Sequence, residues 1–398
     1  MNVRSEFPML DNDIVYFDNS ATTFKPYSVI EAVSNYYYNY TANAHRGDYD
    51  ISLMVDNKYE ESRELVRQFI NAATTKEIVF TSGTTHGINM IVYGYFMNHL
   101  QKDDEVLITK SEHASMVLPW YDLVKKIGIK VKFIELDEFN EVTCENVMLA
   151  ISDKTKVISL AHITNVIGDV RPIKEICSTA KQKGIKVLVD AAQSAPHLKI
   201  DVRNIDCDFL VFSSHKMLGP TGVGVLYGKY DLLDQVTPLI MGGGMNSGYT
   251  STSEFTLKSL PTKLEAGTPN IEGVIGFKEA IKFINKIGIE NIHKYVLELK
   301  DYLVSKLEEL DNIVIYNKYT KSGIVTFNIK NVFSQDTSIY LNKNGICIRA
   351  GSHCAKMIKD ILNVNNTCRI SLYLYNTKEE IDYLVSILKE NRVYDEII

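Results

Sequence analysis

Lys216 stands in FLVFSSHKMLGPTGVGVLYG, where an apolar run over Asp208 to Phe212 passes through two serines into a His-Lys pair and a glycine-punctuated segment. A lysine just past a buried strand is poorly solvated, which lowers its pKa and makes the amine nucleophilic. A strand-end lysine is ordinarily a surface cation. Asp190, which closes IKVLVD ahead of AAQSAPH, reverses that expectation. A near-continuous apolar run ending in an acid spells a buried parallel strand. In open α/β sheets, ligands bind at the carboxyl ends of such strands. Alone, Asp190 serves equally well as a helix cap. Consecutive strands ending in an acid and a lysine suit an aldehyde cofactor, pyridoxal 5′-phosphate. The amine forms a Schiff base and the acid pairs with the pyridine nitrogen, which makes the ring a better electron sink.

Two further segments fit that chemistry. EIVFTSGTTHGINMIVYGY reads as strand, small-residue turn and helix. Backbone N–H groups at a helix N-terminus favour an anion, and the hydroxyls of Thr84 and Thr85 add donors. A TSGTT turn by itself is also an ordinary helix cap. His113, in ITKSEHASMVLPWYD, again follows an apolar strand (Glu105 to Thr109). An imidazole there can stack on a pyridine ring and move protons. A lone histidine is more often structural, so His113 gains weight only beside the other three elements.

These residues need a frame of alternating strands and helices, and the chain supplies one. EIVFTS leads to a helix over Ile88 to His99, and EVLITK to one near Pro119 to Ile127. VKFIEL, VISLAH, KVLVDA, FLVFSS and GVGVLYG follow, with helical stretches such as IKEICSTAKQKG between several of them. This is a doubly wound α/β pattern with a mainly parallel sheet. The glycine-rich MGGGMNSG opens a polar segment that ends at EAGTPN, long enough to suggest a functional loop. After a helix around Ile271 to Lys286 the pattern changes. An amphipathic IHKYVLELKDYLVSKLEEL, the strands IVIY and GIVTFNI, a segment ICIRA and a closing helix KEEIDYLVSILKENR read as a smaller α+β unit. The expected division is 16–285 for the large domain, with 1–15 and 286–398 forming the small one.

With 398 residues the chain exceeds the length at which single cores usually divide. Its hydrophobic fraction of 45% and charged fraction of 23% are those of a soluble globular protein. A net charge of −6 gives no broad basic surface for nucleic acid or anionic lipid. MNVRSEFPML has no signal-peptide core and no stretch is apolar enough to span a membrane, so the expected location is the cytoplasm. The six cysteines (144, 177, 207, 347, 354, 368) are too scattered for a disulfide scaffold and none is at C-x-x-C spacing, so no metal site is expected.

In this order, the segments resemble the class V aminotransferase family of fold-type I pyridoxal-phosphate enzymes, and within it the cysteine desulfurases of the SufS type. The resemblance spans essentially the whole chain. It is carried by YFDNSATT (Tyr16 to Thr23), NAHRG (Asn43 to Gly47), TSGTTHGIN, SEHASMVLPW, HITNVIGDVRP, VLVDAAQSAPH, FSSHKMLGPTGVGVLYG, EAGTPN and RAGSHCA (Arg349 to Ala355). It implies that Lys216 carries the cofactor, Asp190 pairs with the ring nitrogen and Gln193 bonds the phenolic oxygen. It further implies that His113 stacks on the ring and that Thr84, Thr85, Ser213 and His215 bind phosphate. Thr268 is expected to reach the phosphate of a second subunit, which makes the active unit a homodimer. Asn165 and Arg369 would hold the substrate carboxylate, Arg369 bidentately.

The implied reaction converts L-cysteine to L-alanine and leaves a persulfide on Cys354. Lys216 moves the α-proton, and His113 is the candidate shuttle. The sulfur would pass to an acceptor protein of the SufE or SufU kind, for iron–sulfur cluster assembly. Cys354 follows Arg349 and His353 in a polar turn, where positive charge favours a thiolate. The other five cysteines read as packing. The chain departs from the commonest SufS loop at Ser352, Lys356 and Met357, which leaves acceptor choice open, while the loop stays short. Selenocysteine lyase or a transaminase-like reaction is the alternative within the family. A silent scaffold is the alternative from another class, and intact Lys216, Asp190, Gln193 and Cys354 argue against it.

Overall fold

Six of the seven strands of the central sheet alternate their apolar side chains between two hydrophobic clusters. Ile78, Leu107, Ile158, Val189, Leu210 and Val225 enter one cluster. Their chain neighbours Val79, Val106, Val157, Leu188, Val211 and Leu226 enter the other. Period-two burial on both sides forces helices onto both faces. In this computed structural model, which describes residues 1–44, 47–390 and 393, they are there.

In chain order the strands are β1 (Val15–Tyr16), β2 (Ile78–Thr81), β3 (Glu105–Ile108), β4 (Lys130–Phe133), β5 (Thr155–Ala161), β6 (Lys186–Asp190), β7 (Phe209–Ser213) and β8 (Gly224–Gly228). The seven-stranded sheet has the order β2-β8-β7-β6-β5-β3-β4. Only β8 runs against its neighbours, so the carboxyl ends of β2, β3, β5, β6 and β7 share one edge. The helices Tyr27–Asn39, Asp50–Phe69, Ile173–Gln182 and Ile271–Ile287 cover one face, while Thr84–Ile91 and Ala114–Ile127 cover the other.

The remaining strands are β9 (Asn246–Tyr249) and β10 (Phe255–Leu257), which form a hairpin inside the polar segment, then β11 (Ile313–Ile315), β12 (Ile324–Ile329), β13 (Ile346–Cys347), β14 (Arg349–Gly351) and β15 (Thr367–Ser371). An antiparallel sheet β11-β12-β15-β14 packs with helices Ile289–Glu308, Ser334–Lys343 and Lys378–Glu390. The N-terminus belongs to this end of the molecule. β1 pairs with β13, Phe7 stacks edge-on against Phe283 and Tyr375, and Arg4 binds Glu380.

Element types follow the patterning, with shifts at the boundaries. The helix expected from Ile88 starts at Thr84, directly on the TSGTT turn, and passes through a π segment, Val92–Phe96. The helix expected near Pro119 starts at Ala114 with His113 as its cap. Pro119 sits inside it, past the first turn, and supplies no N–H to the helix ladder. Segment ICIRA divides into β13 and β14. Helices Tyr27–Asn39 and Asp50–Phe69 and strand β15 were not anticipated from the pattern. His45 and Arg46 of the NAHRG segment, and Asn391 and Arg392 of the closing helix, lie outside the described residues.

Candidate active site

Asp190 is the last residue of β6, and Ser213 the last of the adjacent β7. Beyond Ser213 a single 3-10 turn, Ser214–Lys216, turns the lysine back over the sheet edge. These residues, with Thr84, Thr85, His113, Asn165, Gln193, His215 and Arg369, line one cavity of about 220 Å³ at the common carboxyl edge. Burial pushes the Lys216 amine down to about 8, and the Asp190 carboxyl up to about 6. Above pH 8 the amine is mostly neutral and nucleophilic. Above pH 6 the carboxylate is mostly ionised and fit to face a pyridinium. Asp190 Oδ1 accepts the Ala192 N–H at 2.9 Å, which orients the carboxylate.

The turn after β2 forms the second wall. Gly83, at φ +149°, precedes helix Thr84–Ile91. The Thr84 N–H donates to Ser213 Oγ at 2.8 Å and the two hydroxyls meet at 2.7 Å. Thr85 Oγ1 meets Ser115 Oγ at 2.7 Å. Close approach of this turn to β8 requires glycine at 224, where a Cβ would lie 2.5 Å from Gly83 Cα. A helix N-terminus, three hydroxyls and His215 make a donor set suited to a phosphate dianion. Together with a desolvated amine and a buried carboxylate, they fit pyridoxal phosphate.

His113 accepts the Ser115 N–H on Nδ1 at 3.1 Å, so its proton is on Nε2. Burial, with the charges of Lys216, Arg349 and Arg369, lowers its pKa to about 4. The ring is therefore neutral at physiological pH, and it can pass on the Nε2 proton only by taking another in exchange. Gln193 donates to the Ser20 carbonyl at 3.0 Å. Arg369 pairs with Asp18 at 2.6 Å and donates to the Asn165 carbonyl at 2.9 Å, while its buried Nε has no partner among the described residues. Asn165 gives one N–H to the His353 carbonyl at 2.7 Å, and its buried Oδ1 is likewise unpartnered among them. Unpartnered polar atoms on two side chains at one wall fit a polar substrate group.

Cys354 lies just outside the cavity, on the turn after β14. It is the one exposed cysteine of the six. Burial raises Cys177 and Cys368 to about 12 and raises Cys144, Cys207 and Cys347 as well, so these five are poor nucleophiles. His353 and Cys354 both have positive φ, 51° and 58°, a conformation that costs non-glycine residues roughly 1–3 kcal/mol each. The loop is held from outside. Ala114 N–H donates to the Cys354 carbonyl at 2.7 Å, Asn165 holds the His353 carbonyl, and His353 Nε2–H bonds Thr367 at 3.0 Å.

Burial pushes His353 down to about 3, so it is neutral and supplies no charge to the thiol. This corrects the expectation that His353 and Arg349 both contribute charge. Arg349 alone does, with Nη2 at 3.7 Å from Sγ. Thr268 is exposed and lies outside the cavity, bonded by Asn43 at 3.4 Å and lining a second cavity with Phe80 and Glu265. Asp18, Ser20 and Ser115 are the contributors that residue reasoning passed over. Asp18 and Ser20 lie within YFDNSATT, and Ser115 is within SEHASM, so the segments were noticed and their side chains were not. Among the described residues no cluster could hold a metal ion, and no helix is long and apolar enough to cross a membrane.

The chain and its fold have close counterparts among known proteins. The probable cysteine desulfurase of Halalkalibacterium halodurans is 42% identical, over 98% of each chain. The apo cysteine desulfurase of Thermococcus onnurineus NA1 superposes with a TM-score of 0.94 at 36% identity, covering 98% of this chain and 97% of that one. The cysteine desulfurase CsdA of Escherichia coli, solved in an S-sulfonic acid form, gives a TM-score of 0.93 at 34% identity over 99% of this chain and 98% of that one. The family model described as aminotransferase class-V matches residues 15–384. The chain belongs to the class V aminotransferase family.

Proposed function

We propose that the protein is a pyridoxal-phosphate-dependent cysteine desulfurase that forms L-alanine from L-cysteine and a persulfide on Cys354. One observation carries this reading: adjacent strand ends place a desolvated lysine and a buried carboxylate in one cavity, and the single exposed cysteine is clamped beside its wall. Curated relatives at about 40% identity over nearly the whole chain support it. The bound cofactor supplies an electron sink for the substrate carbanion.

The chain's own groups do the rest. Lys216 would carry the cofactor and would take and return the substrate α-proton. Asp190 would hold the proton on the ring nitrogen. Gln193 would bond the phenolic oxygen, and Thr84, Thr85, Ser213 and His215 would hold the phosphate. Arg369 and Asn165 hold the substrate carboxylate, which the unpartnered Arg369 Nε supports. His113 would stack on the ring. The Cys354 thiolate attacks the substrate sulfur, the carbon–sulfur bond breaks, and the sulfur remains on Cys354.

The active unit is a homodimer in which Thr268 serves the phosphate of the second subunit. Its exposed position away from this chain's own cavity supports that role. Residues 16–285 form the large domain, and 1–15 with 286–398 the small one, which the β1–β13 pairing and the Phe7–Tyr375 contact support. The persulfide passes in the cytoplasm to an acceptor protein of the SufE or SufU kind, for iron–sulfur cluster assembly. The test is an assay of alanine and sulfide from L-cysteine, with and without a thiol reductant. Stoichiometric alanine with reductant-dependent sulfide is expected. No alanine from cofactor-loaded protein would overturn the reading.

A further inference from the structure

Arg171 lies beneath the cavity and does not line it. A guanidinium has five N–H donors, and here each has an acceptor. Nε donates to Asp169 Oδ2 at 3.1 Å, and Nη1 to the Ala161 carbonyl at 3.2 Å and to Glu112 Oε1. Nη2 donates to Thr109 Oγ1 at 2.9 Å and to Ser111 Oγ at 2.8 Å. Glu112 Oε2 also accepts the Ala161 N–H at 2.9 Å, and Asp169 Oδ2 the Val142 N–H at 3.1 Å. Arg171, Glu112 and Asp169 are all buried. One side chain thus ties the exit of β3 (Thr109 to Glu112) to the exit of β5 (Ala161) and to the far end of the loop carrying Asn165.

Stability alone is a weak reason for such a cluster, because a buried ion pair can often be replaced by apolar residues at no loss. Fixing one arrangement among several is its better-attested use. Here the segments being fixed have a second duty. Ala114, just past Glu112 and His113, donates to the Cys354 carbonyl, and Asn165 donates to the His353 carbonyl. Two of the three clamps on the strained cysteine loop therefore stand on segments that Arg171 holds; the third, His353 to Thr367, comes from β15.

We propose that Arg171 is a positioning residue for the reactive thiol: by locking the exits of β3 and β5 together it fixes two of the three groups that clamp the Cys354 loop, Ala114 and Asn165. The inference rests on Cys354 being the sulfur-carrying nucleophile. The test uses cofactor-loaded wild type, Arg171→Met, Arg171→Lys and Glu112→Gln. Amide hydrogen exchange is read by peptide, and persulfide formation is read in a single turnover.

In Arg171→Met, exchange over 351–357 should accelerate at least tenfold and persulfide formation should slow at least tenfold. Exchange in β12 and the cofactor absorption band should hold at wild-type values. Arg171→Lys, which keeps the charge without the fork, should fall between. Unchanged exchange over 351–357, or equal acceleration in β12, overturns the proposal. If Arg171→Met does not fold, Glu112→Gln decides by the same two peptides, with at least threefold acceleration confined to 351–357 expected. A wild type that places no sulfur on Cys354 defeats the functional reading instead, which the exchange data leave separately readable.

Discussion

Asp190 and Cys354 are placed by opposite means. Asp190 and Ser213 end, and Lys216 closely follows, strands whose residues are buried on both faces, so position and direction come from the central sheet. Cys354 stands on a turn with two consecutive non-glycine residues at positive φ, exposed, and held by hydrogen bonds from helix Ala114–Ile127, the Asn165 loop and β15. Its geometry belongs to long-range contacts rather than to its own segment. The difference matches two tasks. Proton chemistry on a bound cofactor needs a fixed, water-poor floor. A group that takes sulfur inside the site and delivers it outside needs an exposed position that is ordered without being buried.

If that contrast is right, damage to the two regions should separate. Lys216→Ala has the largest effect, because it removes both the cofactor's anchor and the α-proton base. Turnover should fall by at least about 10⁴-fold, and borohydride should trap no cofactor on the chain. Trapping on another lysine in wild type would break the comparison. Cys354→Ser comes next. It leaves the cavity intact, so the cofactor spectrum and its response to L-cysteine should persist. Alanine and persulfide formation should drop to background, since a serine hydroxyl cannot replace a thiolate. Selenocysteine, whose selenium leaves more readily, should retain part of its turnover. Normal desulfuration by Cys354→Ser would contradict the account.

The pH dependence sharpens the cavity side. Lys216 attacks the cofactor aldehyde only as the neutral amine, and its pKa is lowered to about 8. The rate at which apo-protein takes up the cofactor should therefore rise with pH and level off above 8. Below that it should fall about tenfold per pH unit. A flat profile from pH 6 to 9 would show that the amine is not desolvated as the geometry requires. Thr367→Val probes the cysteine side with the smallest expected effect. It deletes one acceptor for His353 and keeps the Thr367 carbonyl, so it should cost about 1 kcal/mol of stability. It should lower persulfide formation a few-fold, with cofactor affinity unchanged by equilibrium titration.

The same contrast explains how much could be read from the sequence. Strand-end residues are legible because alternating burial and a terminal acid or lysine are local signals. Asp190, Lys216, Ser213 and the TSGTT turn lie where the pattern puts them. Cys354 stood out through its motif, but its support did not. That support comes from Ala114, Asn165 and Thr367, far away in sequence, and no periodicity marks them. For the same reason Asp18 was passed over as the partner of Arg369. The neutral state of His353 is equally hidden, because burial against β15 is its main cause, with the charges of Arg369 and Arg349 adding to it. Thr268 illustrates a further limit, since its proposed role requires a second copy of the chain.

The central claim is that sulfur leaves the substrate onto Cys354. Mass spectrometry of cofactor-loaded protein after one turnover with L-cysteine, digested without reductant, tests it directly. The account predicts one additional sulfur on the peptide containing Cys354, in proportion to the alanine formed, and none on the peptides of Cys347 or Cys368. Sulfur on either of those peptides, or stoichiometric alanine with Cys354 unmodified, would contradict it.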